Sequence, residues 1–250
     1  MGYCRQTTLP AAEAISRAQA KNYLRVSPQF TDDDELITGL IQAAREYAEA
    51  RTGRAIAQRT FRMVLDAHPY YADSLAGGLA YPPNYYSLPL YSTTLWNYSQ
   101  MIKLPSAPVI SVQQMRSVNP DGTILTWAQD TDFILDRISE PARIFPMPGQ
   151  YWPPDLYVAN ALEIDFTAGY DPNPTMVDTH TVTATPPAQQ PDSIIVTGIP
   201  QSLRIAMKML LGHWYDNRWA ASKDNLKEVP MAVENMLAAN MVIDFTHTRG

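Results

Sequence analysis

Apolar residues recur with a helical period over residues 31–54, where Leu36, Ile37, Leu40, Ile41, Ala44, Tyr47, Ala48 and Arg51 fall on one stripe. Gln42, Arg45, Glu46 and Glu49 take the opposite face. Asp32 followed three positions later by Glu35 has the spacing of a capping box, and Gly53 sits where a left-handed residue closes a helix. The pattern predicts one long helix of about 18 to 20 residues, roughly 28 Å from end to end. A shorter helix is expected just before it, capped by Ser16 with Gln19 in the reciprocal position and running through Ala20, Tyr23 and Leu24. Pro28 separates the two, and so short a link predicts that they pack as an antiparallel pair.

After Gly53 the period falls to two. Phe61, Met63 and Leu65 alternate with Thr60, Arg62, Val64 and Asp66, the pattern of a half-buried strand. Residues 109–118 and 123–127 flank Asn119-Pro120-Asp121-Gly122, in which proline fixes φ and glycine accepts a positive φ, so a hairpin is expected there. Short strands follow at 133–135 and 143–145, and at 162–167 with strict alternation, giving a small antiparallel sheet or sandwich of about five to six strands. Helical period returns after Pro200 with Leu203, Ala206, Met207, Leu210, Leu211 and Trp214, and after Pro230 with Val233, Met236 and Leu237. Helices therefore come first and last. The expected class is α+β: an α-helical bundle built from the N- and C-terminal segments, with a small antiparallel β region inserted and long loops rich in proline and aromatics. The segments are 1–56 (N-terminal helices), 57–170 (β region), 171–198 (insertion), 199–240 (C-terminal helices) and 241–250 (a C-terminal arm with no periodic signal).

Two stretches break all periodicity. Residues 68–101 hold seven of the fourteen tyrosines, namely Tyr70, Tyr71, Tyr81, Tyr85, Tyr86, Tyr91 and Tyr98 among them, together with Trp96. A connection this long is functional or is ordered by another chain more often than it is a plain link, and aromatics with proline supply contact area at low entropy cost. These eight aromatics are candidate partner-binding residues. Residues 171–198 carry five further prolines, and 181–183 with 193–196 could pair as a projecting ribbon.

Composition narrows the class. An apolar share of 46% with 18% charged residues is that of a folded globular chain, and 21 prolines against 11 glycines favour rigid connections. The single Cys4 excludes an intrachain disulfide. No apolar run approaches a membrane span and the first ten residues lack a signal-peptide core, so a soluble protein made in the cytoplasm is expected, with no membrane partner. A net charge of −6 argues against a phosphate-neutralising nucleic-acid binder.

Catalytic chemistry finds little support. His68, His180, His213 and His247 lie far apart with no ligand spacing, and nucleophile-elbow, phosphate-loop and dinucleotide motifs are absent. The run 32–35 reads as a helix start rather than a cation loop, because the spacing and the glycine of such a loop are missing. Glu163 and Asp165 alternate with Leu162, Ile164 and Phe166, which makes them the solvated face of a strand before they are an acid–base pair. The expectation is a protein without catalytic residues, metal or cofactor. The aromatic stretch 70–98 also admits a second reading, a receptor- or glycan-binding tail module.

Several runs, in this order, resemble the head–tail connector (adaptor) family of tailed bacteriophages: LITGLIQAAREYAEARTGRAIAQRTFRMVLD, LPSAPVISVQQMRSVNPDGT, SEPARIFPMPGQYWP, ALEIDFTAGY and IPQSLRIAMKMLLGHWYDNR. The resemblance covers most of residues 8–240. It implies a non-enzymatic virion protein of the neck that forms a ring, usually twelvefold, beneath the portal protein and continues the DNA channel toward the tail. Its implied partners are copies of itself, the portal, tail or neck proteins, and DNA passing through without sequence-specific binding. Under this resemblance the helices form the ring body, Glu46 and Glu49 are candidates to face the channel, and the arm 241–250, with Ile243 and Phe245, is a candidate contact for the portal. The insertions 68–101 and 171–198 exceed the short turns expected of the family, and are expected to dock tail components or adjacent subunits.

Overall fold

The computed structural model describes residues 2–66, 101–153, 156–171, 198–218 and 229–243. The chain divides into two compact units. One is drawn from Met1–Leu9 and Arg59–Ala168, the other from Pro10–Gln58 and Gly169–Gly250. Among the described residues the second contains four helices: α1 (Arg17–Leu24), α2 (Asp34–Thr52), α3 (Gln201–Asp216) and α4 (Met231–Ala238). Among the described residues the first contains eight strands, β1 (Gly2–Gln6), β2 (Arg59–Leu65), β3 (Ile102–Leu104), β4 (Val109–Val118), β5 (Ile124–Trp127), β6 (Phe133–Asp136), β7 (Ala142–Pro146) and β8 (Leu162–Ala168). The class is mixed α+β. No helix among the described residues is long and apolar enough to cross a membrane.

In the helical unit, α1 opens with the complete capping box expected from its sequence: Ser16 Oγ accepts from the Gln19 N–H, and the Gln19 side chain accepts from the Ser16 N–H, each at 3.2 Å. Gly53 closes α2 in the left-handed conformation, φ 69°, donating to the Glu49 carbonyl. The start of α2 differs from the expectation. The cap is Asp33 rather than Asp32, and its carboxylate makes no capping bond; it accepts instead from the Tyr215 hydroxyl and, at 3.0 Å, from Arg218 at the end of α3. Pro200 and Pro230 precede α3 and α4 as the sequence suggests.

One core joins Ile37, Ile41, Ala44 and Ala48 of α2 to Leu203, Ala206, Met207, Leu210 and Leu211 of α3, with Val233 and Leu237 of α4 and Ile15 and Ala20 at α1. Each fully buried Ile or Leu contributes about 1.5–3 kcal/mol relative to exposure. Trp214 lies partly buried beside it, edge-on to Tyr47 with ring centroids 6.0 Å apart. The predicted stripe of α2 errs at its margins: Leu36 and Arg51 are exposed, whereas Arg45, assigned to the solvated face, is 5% exposed.

In the β unit, a five-stranded antiparallel sheet runs in the order β1-β2-β8-β4-β5, and a three-stranded antiparallel sheet in the order β3-β7-β6. Alternation dictates β8 most cleanly, with Leu162, Ile164, Phe166 and Ala168 fully buried between half-buried Glu163 and Asp165. Phe166 stacks on Phe61 across the β2–β8 pair at 5.6 Å. The hairpin β4–β5 turns through Asn119–Gly122 as expected, with Gly122 at φ 85° and the Asp121 carboxylate accepting from the Thr123 N–H and hydroxyl. In β2 the alternation is less clean than the sequence implies, since Val64 is 2% exposed while Met63 and Leu65 are only half-buried. Two strands have no counterpart in the sequence reading, β3 and the N-terminal β1. Cys4 lies on β1, paired with Met63, and not on a loose terminus.

Candidate functional site

The described residues arrange their polar groups as structural ties. Across the five-stranded sheet, Arg62 of β2 donates to both oxygens of Asp165 at 2.6 and 2.8 Å, and Arg116 of β4 donates to Glu163 at 2.7 Å. Glu163 and Asp165 are thus the midline of a charge row across β2, β8 and β4. At the β6–β7 corner Asp136 accepts from Arg143 and from the Ser139 hydroxyl. Burial alone would raise its pKa, but the bonds from Ser139 and Arg143 outweigh it and hold the carboxyl below the ordinary value.

The helical unit has further ties of this kind. Arg45 reaches Glu13 and Glu49 at 2.9 Å each and lies against Glu46 at 3.4 Å. Glu234 of α4 accepts from the Tyr47 hydroxyl and from Arg51, and those bonds lower its pKa while raising that of Tyr47. Lys21, buried in α1, donates to the Phe30 carbonyl at 2.6 Å and pairs with Asp34 at 2.5 Å, so Asp34 at the start of α2 fixes the α1–α2 link. Beside this pair lies an open cleft of about 750 Å³ lined by Arg17, Lys21, Arg25, Asp34 and neighbouring residues, in which Lys21 is already bound to Asp34 and the Phe30 carbonyl. Among the described residues no group of three or more His, Cys, Asp or Glu is placed to hold a metal ion. His213 lies on α3 with its carbonyl accepting from Asn217; the other three histidines lie outside the described residues.

Of the residues singled out by sequence, Tyr70, Tyr71, Tyr81, Tyr85, Tyr86, Tyr91, Trp96, Tyr98 and Phe245 lie outside the described residues, as does the ribbon at 181–183 and 193–196. Ile243 is 58% exposed, just beyond Val242, whose N–H donates to the Thr52 carbonyl and ties the chain to the end of α2. Arg54 reinforces that tie, donating to the Asn240 carbonyl at 2.7 Å and to the Tyr170 hydroxyl at 3.0 Å. Glu46 projects from α2 with most of its side chain in solvent. Glu49 does not: its side chain is 10% exposed, bound to Arg45 and accepting from the Ile56 N–H at 2.8 Å. The i+4 spacing from Arg45 to Glu49 is the signal in the sequence that points to this pairing.

Sequence reasoning missed the open flanks of the five-stranded sheet, where Tyr3 on β1 and Ile124 and Leu125 on β5 are 50%, 62% and 41% exposed. Tyr151 and Val158, on the connection between β7 and β8, are exposed as well.

No protein-family model matches the chain, and neither does any curated protein. Among solved structures, a chain from the neck of an empty GTA particle, computed with C6 symmetry, is 20% identical with a TM-score of 0.65, over 99% of this chain and 100% of that chain. A chain from the virion of a native gene transfer agent particle is 20% identical with a TM-score of 0.62, over 99% of both. A chain from the neck of the native GTA particle, computed with C12 symmetry, matches with the same identity and TM-score over 99% of this chain and 100% of that chain. At this identity the likeness is one of fold, and it extends from end to end: the chain has the fold of a chain found in the neck of gene transfer agent particles.

Proposed function

We propose that this chain is a non-enzymatic structural subunit of the neck of a tailed-phage-like particle, assembling as a ring beneath the portal that joins head to tail and continues the DNA channel. The observation that carries the reading is the end-to-end match of fold to neck chains, with no part of either chain left over. Those necks were computed with C6 and C12 symmetry, which supports a ring of twelve copies here. The family resemblance of the sequence supports the same reading independently. A net charge of −6 suits a conduit, since acidic walls repel DNA phosphates and let the strand pass. In this reading the helical unit forms the ring body, Glu46 faces the lumen while Glu49 stays buried against Arg45, and the arm carrying Ile243 and Phe245 meets the portal. The aromatic residues of 68–101 dock neighbouring subunits or tail proteins.

Native mass spectrometry of the purified chain, alone and then with its portal ring, tests this. A twelvefold ring, or a monomer that becomes one on the portal, is the expected result. A chain that stays monomeric and ignores the portal would overturn the reading, and glycan binding by Tyr70, Trp96 and their neighbours would be measured next.

A further inference from the structure

We propose that the two open edges of the five-stranded sheet pair with each other between neighbouring copies, β5 of one subunit against β1 of the next, so that the sheet continues from subunit to subunit. The inference rests on the ring reading above and supplies its subunit contact.

Each neighbouring pair in the order β1-β2-β8-β4-β5 is antiparallel, so the first and fifth strands run in the same direction. A rotation about an axis along the strands therefore brings β5 beside the next β1 in parallel. This is a heterologous contact between two different surfaces, the kind a closed ring of more than two copies requires.

Both edges present unspent backbone groups. In an antiparallel ladder, bonded and non-bonded pairs alternate. The Asn119 N–H donates to the Thr123 carbonyl, which makes Ser117–Leu125 and Met115–Trp127 the bonded pairs and turns the N–H and C=O of Ile124 and Thr126 outward. The Val118 N–H, donating away from β5 to the Ala161 carbonyl, agrees with this phase. On the opposite flank the Thr7 N–H donates to Thr60, so Arg5 and Tyr3 face β2, and Cys4 and Gln6 turn outward. Exposed edges are commonly guarded by lysine, proline, a bulge or a covering segment. The β5 strand, Ile-Leu-Thr-Trp, carries no charge and no proline, and among the described residues no strand lies beyond it or beyond β1.

The side chains are complementary as well. Exposed Ile124 on one edge would meet exposed Tyr3 on the other, since both lie on the face of the sheet that carries Thr126. Charges oppose in the same sense: β1 bears Arg5, whereas the segment following β5 bears Asp130 and Asp132 at the same end of the sheet. Twelve such sheets laid edge to edge at about 4.8 Å per strand would close a circumference of about 290 Å, a ring about 90 Å across.

Cysteine cross-linking of the full chain, assembled alone or on its portal ring, tests the pairing. In the sheet Cys4 lies in one row with Met63, Ile164, Met115 and Trp127, so it shares a face with Leu125, and Thr126 lies on the other face. Neighbouring strands bring Cα atoms within disulfide reach. The variant Trp127→Cys, or Leu125→Cys for a register displaced along the strand, is expected to give a ladder of cross-linked multimers up to the closed ring on oxidation at alkaline pH. Thr126→Cys is expected to stay at background, and Cys4→Ser should abolish the ladder. Thr126→Pro removes an outward donor without touching the bond to β4, and is expected to cause loss of the ring while the monomer stays folded. Rings that form with Thr126→Pro as well as wild type, and no ladder from either cysteine variant, would overturn the edge pairing and leave the ring intact. Cross-linked dimers from Leu125→Cys combined with Cys4→Ser would mean that β5 pairs with itself, which also overturns it. Failure of every form to make a ring would overturn the neck reading itself.

Discussion

Replacing Arg45 by methionine should destabilise the helical unit by about 3 kcal/mol, near the lower bound for removing one member of a buried ion pair. The guanidinium is 6% exposed and holds Glu13 and Glu49 at 2.9 Å each. Burial works against its charge, yet Glu49 and Glu13 more than compensate and raise its pKa above the ordinary value. Methionine fills much of the same volume, so the loss is electrostatic: the Glu49 carboxylate stays 10% exposed with its nearby cation gone. Glu13, at 24% exposure, recovers some hydration, which keeps the figure low in the range. All four helices of the described residues belong to this unit, so the far-UV helical signal is followed in urea, and a midpoint lowered by about 1–2 M is expected. Adding Glu49→Gln should restore about half of the loss, because the amide oxygen can still accept from the Ile56 N–H while the charge is removed. A cost below about 1 kcal/mol for Arg45→Met, or a double variant weaker than the single one, would refute the claim that Arg45 is the electrostatic centre of this packing.

Gly169→Ala should cost about 2–4 kcal/mol in a urea titration, because a Cβ would stand 2.6–2.7 Å from the backbone of Ala57 and Gln58 at a φ of 123°; a cost below about 0.5 kcal/mol would contradict that geometry. Asp136 has a lowered folded pKa, so it binds its proton less readily folded than unfolded; its contribution is present above the ordinary carboxylate pKa and is lost as pH falls through and below about 4. Asp136→Asn should accordingly flatten stability against pH in that acid window, and an unchanged slope would count against the corner Asp136–Ser139–Arg143. Cys4 is exposed, yet desolvation pushes its thiol up to about 11, so alkylation of the unassembled chain should be slow at neutral pH and rise about tenfold per pH unit. A neutral-pH rate equal to that of free cysteine would rule this out.

The parts legible in the sequence are those whose signal is local. The Ser16–Gln19 box, the glycine after Thr52, the stripe Leu203 to Leu211 and the turn Asn119–Gly122 each carry their instruction within a few residues, and each took the form expected. What was missed depends on distant partners. Gly2–Gln6 has no alternation of its own and becomes a strand only because β2 offers a ladder. Arg45 looks like a surface residue until Glu13, 32 positions away, reaches it. Asp33 gives up the capping role because Tyr215 and Arg218 arrive from α3. Val64 is buried on the face that carries Arg62, where period-two reasoning puts solvent. The neck reading is legible in the sequence only through its family resemblance, and the edges of the five-stranded sheet follow from a strand order that no local pattern encodes.

The chain passes between its two units after Leu9, after Gln58 and after Ala168. That threading sets an order of events on the ribosome. α1 and α2 emerge early with Ile37, Ile41, Ala44 and Ala48 bared, and the surfaces that cover them, on α3 and α4, are translated only after the whole β unit. The β unit can close once β8 has left the exit tunnel, whereas the helical unit waits for α4. A nascent chain stalled before Gln201 would therefore hold one finished unit and one exposed apolar helix, the species most prone to capture by chaperones or by its own copies.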